Sequence, residues 1–322
     1  MKSISDYRSD IESAVKNLQF PEGNLSTLYD PIKYALSAGG KRLRPVLTLM
    51  GADAFGGDTE KAMIPAIGIE TFHNFTLLHD DVMDKSEMRR GRLTVHKKYD
   101  DNSAILSGDT MLTLATEYVC KVEDSILRAV LDSFNQMAIK VYEGQRLDMD
   151  FEKMPNVSVE DYVKMIEYKT GALLGTSVMI GALIGGASTK DAELMYQFGL
   201  NTGVAFQIQD DYLDTFGDPA TFGKKIGGDI NNGKKTYLYV AALSEGSQTA
   251  QALKAAYEIP AGEMRVKTVT RLYEKLNMTE KSKKEVNKYL SKSLKALNET
   301  ALSANAKERF REFAEKLIGR KK

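Results

Sequence analysis

Six aspartates in two matched groups carry the first chemical signal in this chain. FTLLHDDVMD (75–84) and FQIQDDYLD (206–214) each close an apolar, aromatic-containing stretch with Asp-Asp-x-x-Asp. On an α-helix, residues four apart share a face. Asp80 and Asp84 therefore project together, as do Asp210 and Asp214, with Asp81 and Asp211 flanking them. Two such carboxylates ~4 Å apart repel by about 4 kcal/mol at an effective dielectric of 20 unless cations are bound. Oxygen donors with no Cys or His at ligand spacing favour Mg²⁺, which keeps waters and bridges to a substrate phosphate. One such group alone is commonly a solvated acidic helix end. The repetition argues for a site.

Cations supply the complement. Arg89, Arg90 and Arg92 follow the first group, and Gly39-Gly40-Lys41-Arg42-Leu43-Arg44-Pro45 precedes it. After the second group comes GKKIGGDINNGKKTY (223–237), with Lys224, Lys225, Lys234 and Lys235, while Lys169-Thr170 opens a Gly-rich segment. Gly-rich turns with Lys or Arg suit phosphate oxygens, because backbone N–H groups and charged donors converge there. Each basic stretch alone reads as a solvated face. Acidic and basic clusters in one chain suggest a metal–diphosphate site. The histidines, His73, His79 and His96, surround the first acidic group at spacings of 6 and 17, which match no common zinc pattern. A supporting or phosphate-contacting role for His73 fits better.

The elements that must hold these residues are helical. Apolar spacing predicts long helices over roughly 59–84, 102–120, 124–150, 158–184 and 189–216, with no sustained alternation of period two. Gly, Pro and Asn mark breaks at 38–40, 56–58, 154–156, 185–186, 217–219 and 232–233. No linker composition divides the 322 residues, so residues 1–322 read as a single large all-α domain. The net charge of zero gives no reason to expect nucleic acid or an anionic membrane as partner. A single cysteine, Cys120, excludes an internal disulfide framework and fits a reducing, cytoplasmic setting, as does an N-terminus without a signal-like apolar segment. TGALLGTSVMIGALIGGAST (170–189) approaches spanning length. Its density of small residues predicts a buried helix instead, with Gly171 and Gly175 admitting close neighbours.

The ordered set GGKRLRP (39–45), His73, LLHDDVMD with MRRGRLTVH (77–96), GDTML (108–112), Lys169-Thr170, FQIQDDYLD and GKKIGGDINNGKKTY resembles the trans-isoprenyl diphosphate synthases, or polyprenyl synthetases. The resemblance spans most of the chain. It implies a helical bundle of about ten core helices around a central cavity, as a homodimer. It also implies a reaction: an allylic diphosphate ionises, isopentenyl diphosphate attacks the cation, and a proton is lost to give an (E)-double bond. By that resemblance Asp80 and Asp84 hold two Mg²⁺ and Asp210 a third, with Asp81 beside them. Arg89, Lys169, Thr170, Gln207, Lys224 and Lys234 match the allylic diphosphate and cation site, and Lys41, Arg44, His73 and Arg90 the isopentenyl diphosphate site. The C-terminal Arg320-Lys321-Lys322 is similar to tails that close over that second site.

In this family the residues four and five before the first acidic motif line the pocket for the growing tail. They are Thr76 and Phe75 here, with Phe72 one turn further. One aromatic with a compact Asp-Asp-x-x-Asp resembles short-chain geranylgeranyl synthases. A C20 product is expected first and C15 next. The alternatives are a class I terpene cyclase and a non-catalytic subunit of a heteromeric synthase, but GGKRLRP and two intact motifs argue against both.

Overall fold

The computed structural model describes residues 1–218 and 226–319. Among the described residues almost all regular structure is helical, and the one sheet is a two-stranded hairpin. The chain divides into two compact units, Met1–Asn135 with Thr176–Glu193, and Gln136–Gly175 with Leu194–Lys322.

The first unit begins with α1 (Ile4–Lys16), α2 (Ser26–Leu36), α3 (Leu43–Ala54) and α4 (Thr59–Met83). The hairpin strands β1 (Met88–Arg89) and β2 (Arg92–Leu93) follow, then α5 (Val95–Lys98), α6 (Asp101–Val119) and the start of α7 (Asp124–Lys153). Side-chain caps set several starts. Asp58 accepts the Glu60 amide at 2.8 Å to open α4, and Asp100 accepts the Ser103 amide at 2.8 Å to open α6. Ile67, Ile69 and Phe72 of α4, Leu47 and Leu49 of α3, Met111 of α6 and Phe134 of α7 form its core. Each such side chain contributes about 1.5–3 kcal/mol by leaving water.

The second unit takes the rest of α7, then α8 (Val159–Ile166), a π turn (Glu167–Gly171), and the start of α9 (Ala172–Ile184). Most of α10 (Thr189–Phe216) follows, then α11 (Gly228–Asn231), α12 (Tyr237–Leu243), α13 (Gln248–Tyr257), α14 (Glu263–Lys275), α15 (Met278–Glu299) and α16 (Ala304–Ile318). Val204 and Ile208 of α10 pack with Leu238, Tyr273 and Met278 in its core.

The Gly-rich segment is buried, as its composition predicts. A Cβ at Gly175 would lie 2.8 Å from the Tyr196 carbonyl oxygen, and one at Gly171 2.9 Å from that of Leu200. Among the described residues no helix is long and apolar enough to cross a membrane. The expected helix over 158–184 is interrupted, because the π turn separates α8 from α9.

Candidate active site

The first acidic group sits on the last turn of α4. Asp80 is half-buried, Asp81 buried and Asp84 exposed as the C-cap, its amide donating to the Asp80 carbonyl at 2.8 Å. The chain then reverses through the β1–β2 hairpin, whose tip residues Arg90 and Gly91 both adopt positive φ, 53° and 74°. The Arg92 guanidinium lies 4.1 Å from the centre of the Tyr34 ring, and the Tyr34 hydroxyl donates to the Leu93 carbonyl at 2.8 Å. The hairpin is thereby pinned to α2. Arg89 reaches back to chelate Asp81, and an Arg90 nitrogen donates to the Gly39 carbonyl.

GGKRLRP divides its three cations among different tasks. Lys41 is exposed. Arg42, in a left-handed conformation at φ 49°, turns inward and is 3% exposed. It donates to Glu70 at 2.6 Å, to Glu12 at 2.9 Å and to the Leu36 carbonyl at 2.8 Å. Arg44 points toward His73, with its Nη1 3.1 Å from the ring Nε2, and its own Nε is buried without a hydrogen-bond partner. Burial, opposed by Glu70 and reinforced by Arg90, brings the Arg44 pKa down to about 10, still cationic at neutral pH. Burial and then Arg44, Arg90, Arg89 and Arg42 hold His73 well below its ordinary value, so its neutral ring accepts from Arg44. Guanidiniums gathered around a neutral imidazole, one with an unpartnered buried N–H, suit an anion.

The second acidic group lines a cavity of about 250 Å³ in the second unit, together with Asp148, Lys169, Thr170, Gln207, Asp229 and Lys234. Asp210 is half-buried on its wall. Asp211 is buried and accepts from the Tyr162 hydroxyl, from the Tyr237 amide at 2.9 Å and from Gln207 Nε2 at 3.1 Å. Burial and then the neighbouring Asp229 push the Asp211 carboxyl up to about 7. Asp214 accepts the Asp229 amide at 3.0 Å, tying α10 to α11. Lys169 donates to Asp148 at 2.6 Å, and the Thr170 hydroxyl donates to Gln207 Oε1 at 3.2 Å.

These residues fit a hard divalent cation. The donors are carboxylate oxygens beside ammonium groups, with no thiol among them. Among the described residues no three carboxylates, imidazoles or thiols converge closely enough to enclose a metal by themselves.

The Polyprenyl synthetase family model matches residues 25–276. The chain belongs to the polyprenyl synthetase family. It is 36% identical over 269 residues to a geranylgeranyl diphosphate synthase of Methanosarcina mazei, covering 83% of both chains. It is also 36% identical over 262 residues to a geranylfarnesyl diphosphate synthase of Natronomonas pharaonis, covering 76% of each. A crystal structure of a geranylgeranyl pyrophosphate synthase superposes with a TM-score of 0.95 at 40% identity over 100% of both chains. The all-α isoprenoid synthase fold expected from the motifs is therefore present.

Among the residues singled out in the sequence of this polyprenyl synthetase, the structure gathers Lys169, Thr170, Gln207, Asp210 and Lys234 around one cavity. It gathers Arg44, His73, Arg89 and Arg90 into one basic cluster of the first unit. Phe75 and Phe72 are 5% and 0% exposed, and their rings meet at a tilt of 58° with centroids 5.6 Å apart. Phe72 also meets Phe134 edge-on at 5.3 Å, so it is a core aromatic. The Thr76 hydroxyl donates to the His73 carbonyl of its own helix. Lys224 and Arg320-Lys321-Lys322 lie outside the described residues. Sequence reading missed Tyr162, Asp148 and the inward turn of Arg42. No local pattern marks them: Asp148 and Tyr162 meet Lys169 and Asp211 across 21 and 49 residues.

Proposed function

We infer that the chain is a short-chain (E)-prenyl diphosphate synthase that extends allylic diphosphates with isopentenyl diphosphate, with C20 as its product. The observation that carries this reading is the cavity in which Asp210, Asp214, Asp148 and Asp229 stand with Lys169 and Lys234. Carboxylates for a metal and ammonium groups for phosphate in one cavity suit a leaving diphosphate. The geranylgeranyl synthase relatives support the C20 length, and the geranylfarnesyl relative makes C25 the competing product.

Asp80 and Asp84 would hold two Mg²⁺ and Asp210 a third. When bound, Mg²⁺ neutralises the charge that develops on the departing diphosphate. Lys169 and Lys234 add fixed positive charge, and Thr170 and Gln207 orient the group beside them. Arg44, Arg90 and Lys41, with neutral His73, hold the diphosphate of the isopentenyl substrate. The apolar turns of α4 before Asp80 receive the hydrocarbon tail and keep water from the carbocation. Both compact units serve one catalytic domain, and the active form is a homodimer.

The test is direct. Purified protein is mixed with Mg²⁺, isopentenyl diphosphate and dimethylallyl, geranyl or farnesyl diphosphate, and the products are sized by chromatography. A C20 diphosphate that disappears on chelation of Mg²⁺ is expected. A cyclised hydrocarbon, or no elongation with any primer, overturns the reading, and a C25 product corrects its length.

A further inference from the structure

Lys169 and Thr170 are consecutive residues of a π turn, Glu167–Gly171, and both line the cavity of the second unit. Such turns break the regular i→i+4 ladder and recur at functional sites. Two helices meet this one in the same manner. On α7, a Cβ at Gly144 would lie 2.4 Å from the Lys169 nitrogen, 2.8 Å from its Cα and 2.9 Å from the Tyr168 carbonyl carbon. One turn further along α7, Asp148 accepts the Lys169 ammonium at 2.6 Å. On α10, a Cβ at Gly203 would lie 2.7 Å from Gly171 Cα and 3.5 Å from the Thr170 carbonyl oxygen. One turn further, Gln207 accepts the Thr170 hydroxyl at 3.2 Å. Gly-Gln-Arg-Leu-Asp (144–148) and Gly-Val-Ala-Phe-Gln (203–207) thus share a design: a glycine for backbone contact, then a polar acceptor four residues on.

We propose that Gly144 and Gly203 are positioning residues that seat the π turn and thereby aim Lys169 and Thr170 at the allylic diphosphate. Glycine is disfavoured inside a helix, so two helix-interior glycines against one turn need a local reason. The atoms a methyl group would strike are backbone, which cannot rotate aside as a side chain can. Either methyl must displace the turn that carries the cation. Asp148 and Gln207 hold the two side chains, so the turn is fixed by both backbone contact and hydrogen bonds.

The inference rests on the reading of Lys169 as a diphosphate ligand, and its test separates the two. Binding of a non-ionising allylic thiolodiphosphate is measured by calorimetry, and KM for both substrates by turnover. The variants are Gly144→Ala, Lys169→Met and the double variant, with melting temperature recorded for each. Gly144→Ala is expected to weaken analogue binding and raise the allylic KM by about ten- to a hundredfold, as a misplacement near 1 Å does. The isopentenyl KM should stay within about twofold, and the melting temperature should fall only modestly, as for one overpacked methyl group. In the Lys169→Met background Gly144→Ala should add less than about twofold, the mark of two residues acting as one. Losses that add, or that fall equally on both substrates, overturn the inference. If Lys169→Met leaves analogue binding unchanged, both the inference and the reading of Lys169 fail. If Lys169→Met weakens binding and Gly144→Ala does not, the inference alone fails. Should Gly144→Ala not fold, Gly203→Ala paired with Thr170→Val probes the turn from its other flank, judged by the same non-additivity.

Discussion

Arg89 chelates Asp81: its Nε lies 2.9 and 2.8 Å from the two carboxylate oxygens, and its Nη2 2.8 Å from Oδ1. The middle aspartate of the first acidic group is thus committed to a side chain eight residues on. The middle aspartate of the second group, Asp211, is held as firmly by Tyr162, Gln207 and the Tyr237 amide. In both groups the residue i+1 acts as an anchor, while the residue i, Asp80 or Asp210, stays half-buried at the surface of the group. The two Asp-Asp-x-x-Asp motifs share this anchoring of the middle aspartate, but the third aspartates differ: Asp84 is exposed, whereas Asp214 is buried and accepts the Asp229 amide.

The aspartates within one motif should therefore respond differently to substitution. Asp80→Ala and Asp210→Ala should each lower kcat by about a thousandfold or more, as removal of a charge-stabilising centre does. Neither should lower the melting temperature. Asp81→Asn should loosen the Arg89 hairpin and destabilise the fold by about 1.5–3 kcal/mol, the range for a hydrogen bond to a charged group. Its Mg²⁺ dependence should stay close to that of the unmodified protein. Mg²⁺ titrations of turnover beside thermal melts check both, and a normal turnover of Asp80→Ala at saturating Mg²⁺ would remove the metal assignment.

Hydrophobic periodicity made the helices legible. The segments expected over 59–84 and 189–216 are found at Thr59–Met83 and Thr189–Phe216. What it could not show is which of three neighbouring carboxylates turns toward which partner. Asp80 and Asp81 differ by about 100° around the helix. The choice between them is made by the hairpin at Met88–Leu93, through left-handed backbone at Arg90 and Gly91. Tyr162 and Asp211 stand 49 residues apart, so no local pattern links them. The π turn was hidden for the same reason. Glu-Tyr-Lys-Thr-Gly continues the helical composition of α8, and only the backbone contacts of Gly144 and Gly203 reveal the break.

GGKRLRP offers a stability prediction. Arg42 and Glu70 are 3% and 2% exposed, and each is the principal charge partner of the other within the core. Arg42→Ala leaves the Glu70 carboxylate buried beside the Asn74 amide, which donates to it at 3.0 Å, without its guanidinium partner. Breaking a buried pair from one side costs about 3–5 kcal/mol. Because Glu12 is partly exposed, the lower end is expected. Arg42→Lys should recover little, since an ammonium cannot reach Glu12, Glu70 and the Leu36 carbonyl together. Urea midpoints of the two variants measure this, and a midpoint unchanged in Arg42→Ala would refute it.

His73 should give the fold a pH dependence. Burial, Arg44 on α3, Arg89 and Arg90 on the hairpin, and Arg42 hold its pKa well below the ordinary 6.5. The unfolded chain takes up a proton as the pH falls through about 6.5, whereas the folded ring stays neutral. The stability is therefore complete above that pH and declines as the pH drops below it. His73→Gln keeps an acceptor for Arg44 and removes the proton, so its decline from about pH 7.5 to about 5.5, on either side of the ordinary histidine value near 6.5, should be shallower. Urea unfolding of both proteins across that range decides the matter, and parallel slopes would exclude His73 as the source.

Product length is the property in which Phe75 and Phe72 should part. Both rings lie on α4, 5.6 Å apart, but their surroundings differ. Phe72 is fully buried and edge-on to Phe134, so Phe72→Ala opens a cavity in the core and should cost about 3–5 kcal/mol. Phe75 sits one turn nearer the acidic group, with the His79 ring 4.8 Å away on its other side. About 1.5 Å of rise per residue puts it 7–8 Å along the helix from Asp80, the reach of a growing isoprenoid tail. Phe75→Ala also loses packing, so the informative readout is the ratio of products and not the rate. Chains longer than those of the unmodified protein are expected from Phe75→Ala, measured by chromatography of the dephosphorylated alcohols with a farnesyl primer. Phe72→Ala, examined below its melting temperature, should leave the product ratio unchanged. If the two variants lengthen the product equally, the limit lies in the depth of the whole aromatic row and not in Phe75.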